Sequence, residues 1–66
     1  MITYTVERPA HGAAEGEIVN YVEGFCLSTD EKPADVANGS SLMEMDTKTL
    51  YFFDENARVW RAWRRA

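Results

Sequence analysis

The sequence predicts an all-β chain: a small antiparallel sheet or barrel of about five strands that ends in a three-stranded meander. Three observations lead there. Residues 41–63, SLMEMDTKTLYFFDENARVWRAW, hold two turn signals, Asp46-Thr47-Lys48 and Asp54-Glu55-Asn56, on either side of the apolar run Leu50-Tyr51-Phe52-Phe53. At the start, Ile2, Tyr4 and Val6 alternate with Thr3, Thr5 and Glu7, the period of a half-buried strand. Between them, residues 17–28, EIVNYVEGFCLS, are rich in β-branched and aromatic side chains.

In chain order, the first strand ends at Pro9, which cannot donate to a ladder. Residues 8–16, RPAHGAAEG, read as a loop built from small residues, two glycines and a proline. In the second strand, Val19, Tyr21, Phe25 and Leu27 share one parity, and Ile18, Val22 and Cys26 the other. Gly24 in its middle points to a bulge or sharp bend. A helix competes here, because Ile18, Tyr21, Val22 and Phe25 also sit at i, i+3, i+4 and i+7; the aromatic and β-branched content favours the strand. Residues 29–40, TDEKPADVANGS, form a polar connector, with turns at Pro33 and Asn38-Gly39.

The meander follows. Asp opens a turn because its carboxylate accepts from backbone N–H groups just ahead. Three-residue loops closed by a left-handed residue, Lys48 in the first and Asn56 in the second, set a register. Met45 then faces Thr49 and Met43 faces Tyr51, while Phe53 faces Ala57 and Tyr51 faces Val59. One face would carry Met43, Met45, Tyr51, Phe53 and Val59, the other Leu42, Leu50, Phe52, Trp60 and Ala62. Leu50–Phe53 does not alternate as a strand with one wet face should, so both faces call for cover. A chain of 66 residues has little material to supply it. The expectation is that the N-terminal half covers one face and a second copy or another protein covers the other. A closed barrel or sandwich that buries both faces internally is the alternative. Residues 58–66 suit a strand to about Trp63 with a frayed basic end, or a short helix lined by Val59, Trp60 and Trp63.

The length bounds the chain, residues 1–66, to a single small β domain. No apolar run approaches the ~20 residues of a membrane-spanning helix, and Met1 is followed by alternation rather than by the basic and apolar blocks of a secretory signal. A single cysteine, Cys26, makes no internal disulfide, which points to a reducing compartment. Formal charge is −4, unevenly placed: residues 1–56 carry 3 basic against 11 acidic residues, and the only charges after them are Arg58, Arg61, Arg64 and Arg65. An acidic bulk argues against nucleic acid as a partner, since nucleic-acid binding needs a broad basic surface. The arginine-rich end suits acidic surface on a neighbour.

No catalytic, cofactor or metal site emerges. His11, the only histidine, sits in the predicted loop, and Cys26 sits in an apolar strand, where a free thiol usually acts as a small core residue. A Cys26–His11 pair would lack a third group to orient it. Asp30, Glu31 and Asp35 cluster in the connector without the spacing of a calcium loop. The strongest interaction signal is Trp60 and Trp63 interleaved with Arg58, Arg61 and Arg64, because Trp and Arg concentrate at interface hot spots. Tyr51, Phe53, Arg58, Trp60 and Trp63 are therefore the candidate partner or oligomer contacts.

Ser28-Thr29-Asp30, Lys32-Pro33, Asn38-Gly39-Ser40-Ser41, Glu44-Met45-Asp46-Thr47, Tyr51-Phe52-Phe53-Asp54-Glu55-Asn56 and Trp60 together form a pattern. It is similar to that of small proteins of tailed bacteriophages and prophages, mainly of Gram-positive gut bacteria, often encoded among virion structural genes. Relatives tend to have Gly where Lys48 stands, and a less basic end. The pattern describes turns and core positions rather than a chemical site. The resemblance implies a phage origin; together with the two-sided apolar meander it leads to the expectation of a non-enzymatic virion component that self-associates, such as a capsid-decorating or head-fibre protein, located in the virion or the host cytoplasm. A phage-encoded inhibitor of a host defence system, acting by binding a protein or sequestering a small ligand, is the alternative; a small acidic domain can block a basic surface.

Overall fold

The computed structural model describes residues 1–12 and 15–63. Its elements are β1 (Thr3–His11), β2 (Ile18–Cys26), β3 (Ser41–Glu44), β4 (Thr49–Asp54) and β5 (Val59–Ala62), in one sheet of order β1-β2-β3-β4-β5. The described residues contain no helix, and the sheet is open, not a barrel. It is also mixed rather than wholly antiparallel, because β2 and β3 run parallel. A parallel neighbour cannot be reached by a tight hairpin and needs a connection of a dozen or more residues. Residues 27–40 are that connection.

Strand β1 continues through Pro9 to His11, beyond the predicted stop. Pro9 pairs with Asn20 on an edge strand, where a missing N–H can point away from the sheet without breaking the ladder. The bulge expected at Gly24 of the second strand lies instead on its partner, between Tyr4 and Val6 of β1, opposite Gly24. A Cβ on Gly24 would lie 2.0 Å from the Thr3 carbonyl oxygen, so the close approach of the bulged β1 backbone to β2 depends on that glycine.

The meander forms, but in a different register. Leu42 faces Tyr51 and Met43 faces Leu50, one residue from the expected pairing. Tyr51 faces Ala62 and Phe53 faces Trp60, three residues from it. Both loops hold four residues, Met45–Lys48 and Glu55–Arg58, not three. Lys48 takes the left-handed conformation expected of it, at φ 58°, but in the second loop Arg58 does so, at φ 57°, in place of Asn56. Asp54 stays in β4 and still caps the turn, its carboxylate accepting from the Ala57 N–H at 3.3 Å. Both register shifts are odd, and an odd shift moves side chains to the opposite face.

The faces sort accordingly. One carries Val22, Cys26, Leu42, Glu44, Tyr51, Phe53, Trp60 and Ala62, and the connector lies across it. Val36 of the connector packs with Val22 and Phe53, with Trp60 against this cluster. The cover is thus the crossover; the N-terminal half joins the same sheet edge to edge through β2 rather than stacking on the meander. Val36 forms a parallel bridge with Asn20, and the Ala37 N–H donates to the Asn20 carbonyl at 2.7 Å. Ser40, fully buried, accepts from the Val22 N–H through its hydroxyl at 3.1 Å. At the other end of β3, Asp46 accepts from the Ser28 N–H at 3.0 Å and from its hydroxyl.

Candidate interaction surface

Four of the five predicted contact residues hold the crossover down. Phe53 is core, 2% exposed, with its ring 5.1 Å from that of Trp60 at 48°. The Trp60 indole N–H donates to the Pro33 carbonyl at 2.8 Å. Arg58 reaches the Ala34 carbonyl through Nη1 at 3.1 Å. The ring of Tyr51 lies beneath the Lys32 ammonium, 4.5 Å from its centroid. Lys32 continues to a buried ion pair with Glu44, whose other oxygen accepts from the Thr47 hydroxyl at 2.7 Å. Those two hydrogen bonds, from Lys32 first and then Thr47, hold the Glu44 carboxyl below the usual carboxylate range. Burial works against the Lys32 ammonium, but the hydrogen bond and charge of Glu44 outweigh it and leave its pKa raised. Arg64 and Arg65 of the predicted basic end lie outside the described residues.

Only Trp63 of the five points elsewhere. Its N–H donates to the Leu50 carbonyl at 2.7 Å, extending the β4–β5 ladder by one position, and its side chain is 56% exposed. The parity of β5 places it with Val59 and Arg61 on the face opposite the connector. No chain segment among the described residues covers that face. One row across it reads Phe25, Met43, Leu50, Trp63, each the cross-strand neighbour of the next. Phe52 stands one step along β4 from Leu50, and Phe25, Met43, Phe52 and Val59 are all at least one-third exposed. Four strands about 4.8 Å apart make this a contiguous apolar band, where soluble monomers usually break such patches up.

Charges stand at two sides of the band. The next row reads Glu23, Ser41, Phe52, Arg61. Glu23 accepts from the Tyr21 hydroxyl at 2.6 Å, a bond that holds the phenol above its ordinary pKa. The Arg8 guanidinium stacks on the Tyr21 ring at 5.3 Å. At the other side, Arg61 Nε donates to Asp54 at 2.8 Å, keeping the Asp54 carboxyl low.

The residues weighed for chemistry are far apart. His11 pairs with Ile18 at one end of β2 and Cys26 closes the other, roughly 25 Å away at strand rise. Cys26 is fully buried, and that burial pushes its thiol up. Asp30 accepts from the Met1 amino group at 2.8 Å and the Leu27 N–H at 2.8 Å. Among the described residues no His, Cys, Asp and Glu side chains group so as to hold a metal ion, and no pocket opens.

Comparison with protein-family models, with curated proteins and with solved structures finds no match for this chain.

Proposed function

We propose that this chain is a non-enzymatic interaction protein whose working surface is the open apolar face of its sheet, and that it self-associates as a structural piece of a phage particle. The observation that carries the proposal is the Phe25–Met43–Leu50–Trp63 row with Phe52 beside it, apolar and facing solvent on a chain whose opposite face is already covered. Exposed apolar area of this kind marks association sites. The phage setting is supported by the resemblance of residues 28–60 described above.

Gel filtration with light scattering over a concentration series tests the association. A mass above 7.5 kDa that grows with concentration is expected; a strict monomer at high concentration contradicts the proposal. Mass spectrometry of purified particles tests the setting. Presence in the particle is expected, whereas absence favours the inhibitor of host defence.

A further inference from the structure

Building on that reading, we infer that the occupant of the open face is a second copy of this chain, docked face to face about a two-fold axis that runs along the strands between β3 and β4. Such an axis exchanges β2 with β5 and β3 with β4. Phe25 then meets Trp63 of the second copy, and Met43 meets its Leu50. In the next row Glu23 meets Arg61 of the second copy, and the exchange repeats the contact at the other side. Apolar side chains fill the centre, and two opposite-charge pairs close it.

Charge selects this axis. A two-fold perpendicular to the strands lays each strand on its own copy. Centred on the Glu23–Arg61 row it sets Glu23 on Glu23 and Arg61 on Arg61; centred between the rows it drives both charges onto Phe25 and Trp63; centred on the apolar row it stacks each apolar side chain on its own copy and gives neither charge an opposite partner. Setting like charges together, or burying Glu23 under an apolar ring, is costly, and only the axis along the strands gives both Glu23 and Arg61 an opposite-charge partner across the contact. Glu23 is ready for the contact, since no cation among the described residues lies within ion-pair distance of it. Arg61 is ready as well: its side chain is 64% exposed and only Nε is engaged by Asp54. A guanidinium carries five N–H donors, so its Nη groups remain to reach a carboxylate. Aligned sheets pack about 10 Å apart, which long Glu and Arg side chains bridge. Four strands by about five residues give a face of roughly 300 Å² in projection, about 600 Å² over the two copies, below the ~1,200–2,000 Å² of stable specific interfaces and in the range of weak, transient ones. A weak, reversible dimer that dissociates at low micromolar concentration is the expected product.

Charge exchange tests the geometry. Glu23→Lys and Arg61→Glu are each expected to weaken homodimerisation at least tenfold in sedimentation equilibrium, with circular dichroism confirming that each folds. Mixed together, the two variants are expected to form a heterodimer as tight as the wild-type dimer, because both contacts then pair opposite charges. The double variant Glu23→Lys/Arg61→Glu, which pairs them within its own homodimer, is expected to recover as well. A wild-type dimer whose single variants show neither heterodimer nor recovery in the double variant overturns this docking while leaving self-association in place. A wild type that stays monomeric overturns both.

Discussion

Replacing Trp60 with Phe separates the side chains that hold the crossover from those that face outward. The indole N–H to the Pro33 carbonyl, 2.8 Å and partly buried, is lost; removing one partner of such a bond costs about 1 kcal/mol. The smaller ring gives up roughly 30 Å² of apolar burial, about 0.8 kcal/mol at 25 cal/mol per Å². The contact with Phe53 at 5.1 Å survives in part, because Phe keeps one six-membered ring. The sum, about 2 kcal/mol, is large for a chain of this size, whose total stability at ~0.05–0.15 kcal/mol per residue is only a few to ten kcal/mol. A midpoint lowered by roughly 10 °C is expected at ~4–8 °C per kcal/mol. Urea and thermal unfolding followed by far-ultraviolet circular dichroism at low micromolar concentration measures it, since dilution separates folding from association. Trp63→Phe is the control: at 56% exposure it is expected to change stability by less than about 0.5 kcal/mol. Equal losses in the two variants, or a larger loss from Trp63→Phe, would refute the assignment of Trp60 to the covered face and Trp63 to the open one.

Lys48→Gly is expected to stabilise the fold by about 0.5–1 kcal/mol, because Lys48 holds φ 58° where glycine is unstrained; a loss in urea midpoint would contradict the loop geometry. Gly24→Ala is expected to destabilise by roughly 1–3 kcal/mol, as the added methyl meets Thr3 backbone rather than a yielding side chain; an unchanged midpoint would contradict that close approach of β1. Acid is expected to weaken the fold. Asp30, Glu44, Asp46 and Asp54 all have lowered carboxyl pKa values, held down first by hydrogen bonds from the N-terminal amine, Lys32, Ser28 and Arg61 respectively. Their contribution is full above the ordinary carboxylate pKa, about 4, and is lost as pH falls through the lower folded-state values. Urea midpoints between pH 7 and pH 2 check this, and Glu44→Gln should flatten part of the slope; a midpoint that rises on acidification would contradict it.

Local chemistry made most of the strands legible. Alternation from Ile2 to Val6 marked β1, and the aspartates at 46 and 54 marked both bends of the meander. Register was not legible. Asp46 and Asp54 announce a turn, but their type does not distinguish a loop of three residues from one of four, and one residue decides which face Phe53 and Phe52 occupy. An apolar face left open did not depend on the register, because Leu50–Phe53 is apolar on both parities: either register leaves one aromatic inside and one outside. The crossover was least visible. A parallel pairing between β2 and β3 leaves no local trace, and the Val36-Ala37 pair in an otherwise polar stretch was the one hint that residues 27–40 contribute to the core. The ties from Trp60 to Pro33 and from Lys32 to Glu44 join positions 27 and 12 residues apart, beyond the reach of periodicity. Trp60 carried a genuine signal, a large amphipathic side chain among arginines, but its partner is the chain itself.

Hydroxyl-radical footprinting at two concentrations reads both faces in one experiment. Dilute protein is expected to be labelled at Met43, Phe52 and Trp63, and concentrated protein to be protected at all three, while Phe53 resists labelling throughout. Labelling of Phe52 and Trp63 that ignores concentration, or a Phe53 as reactive as Phe52 in the folded chain, would contradict a sheet with one side covered by its own crossover and the other by a second copy.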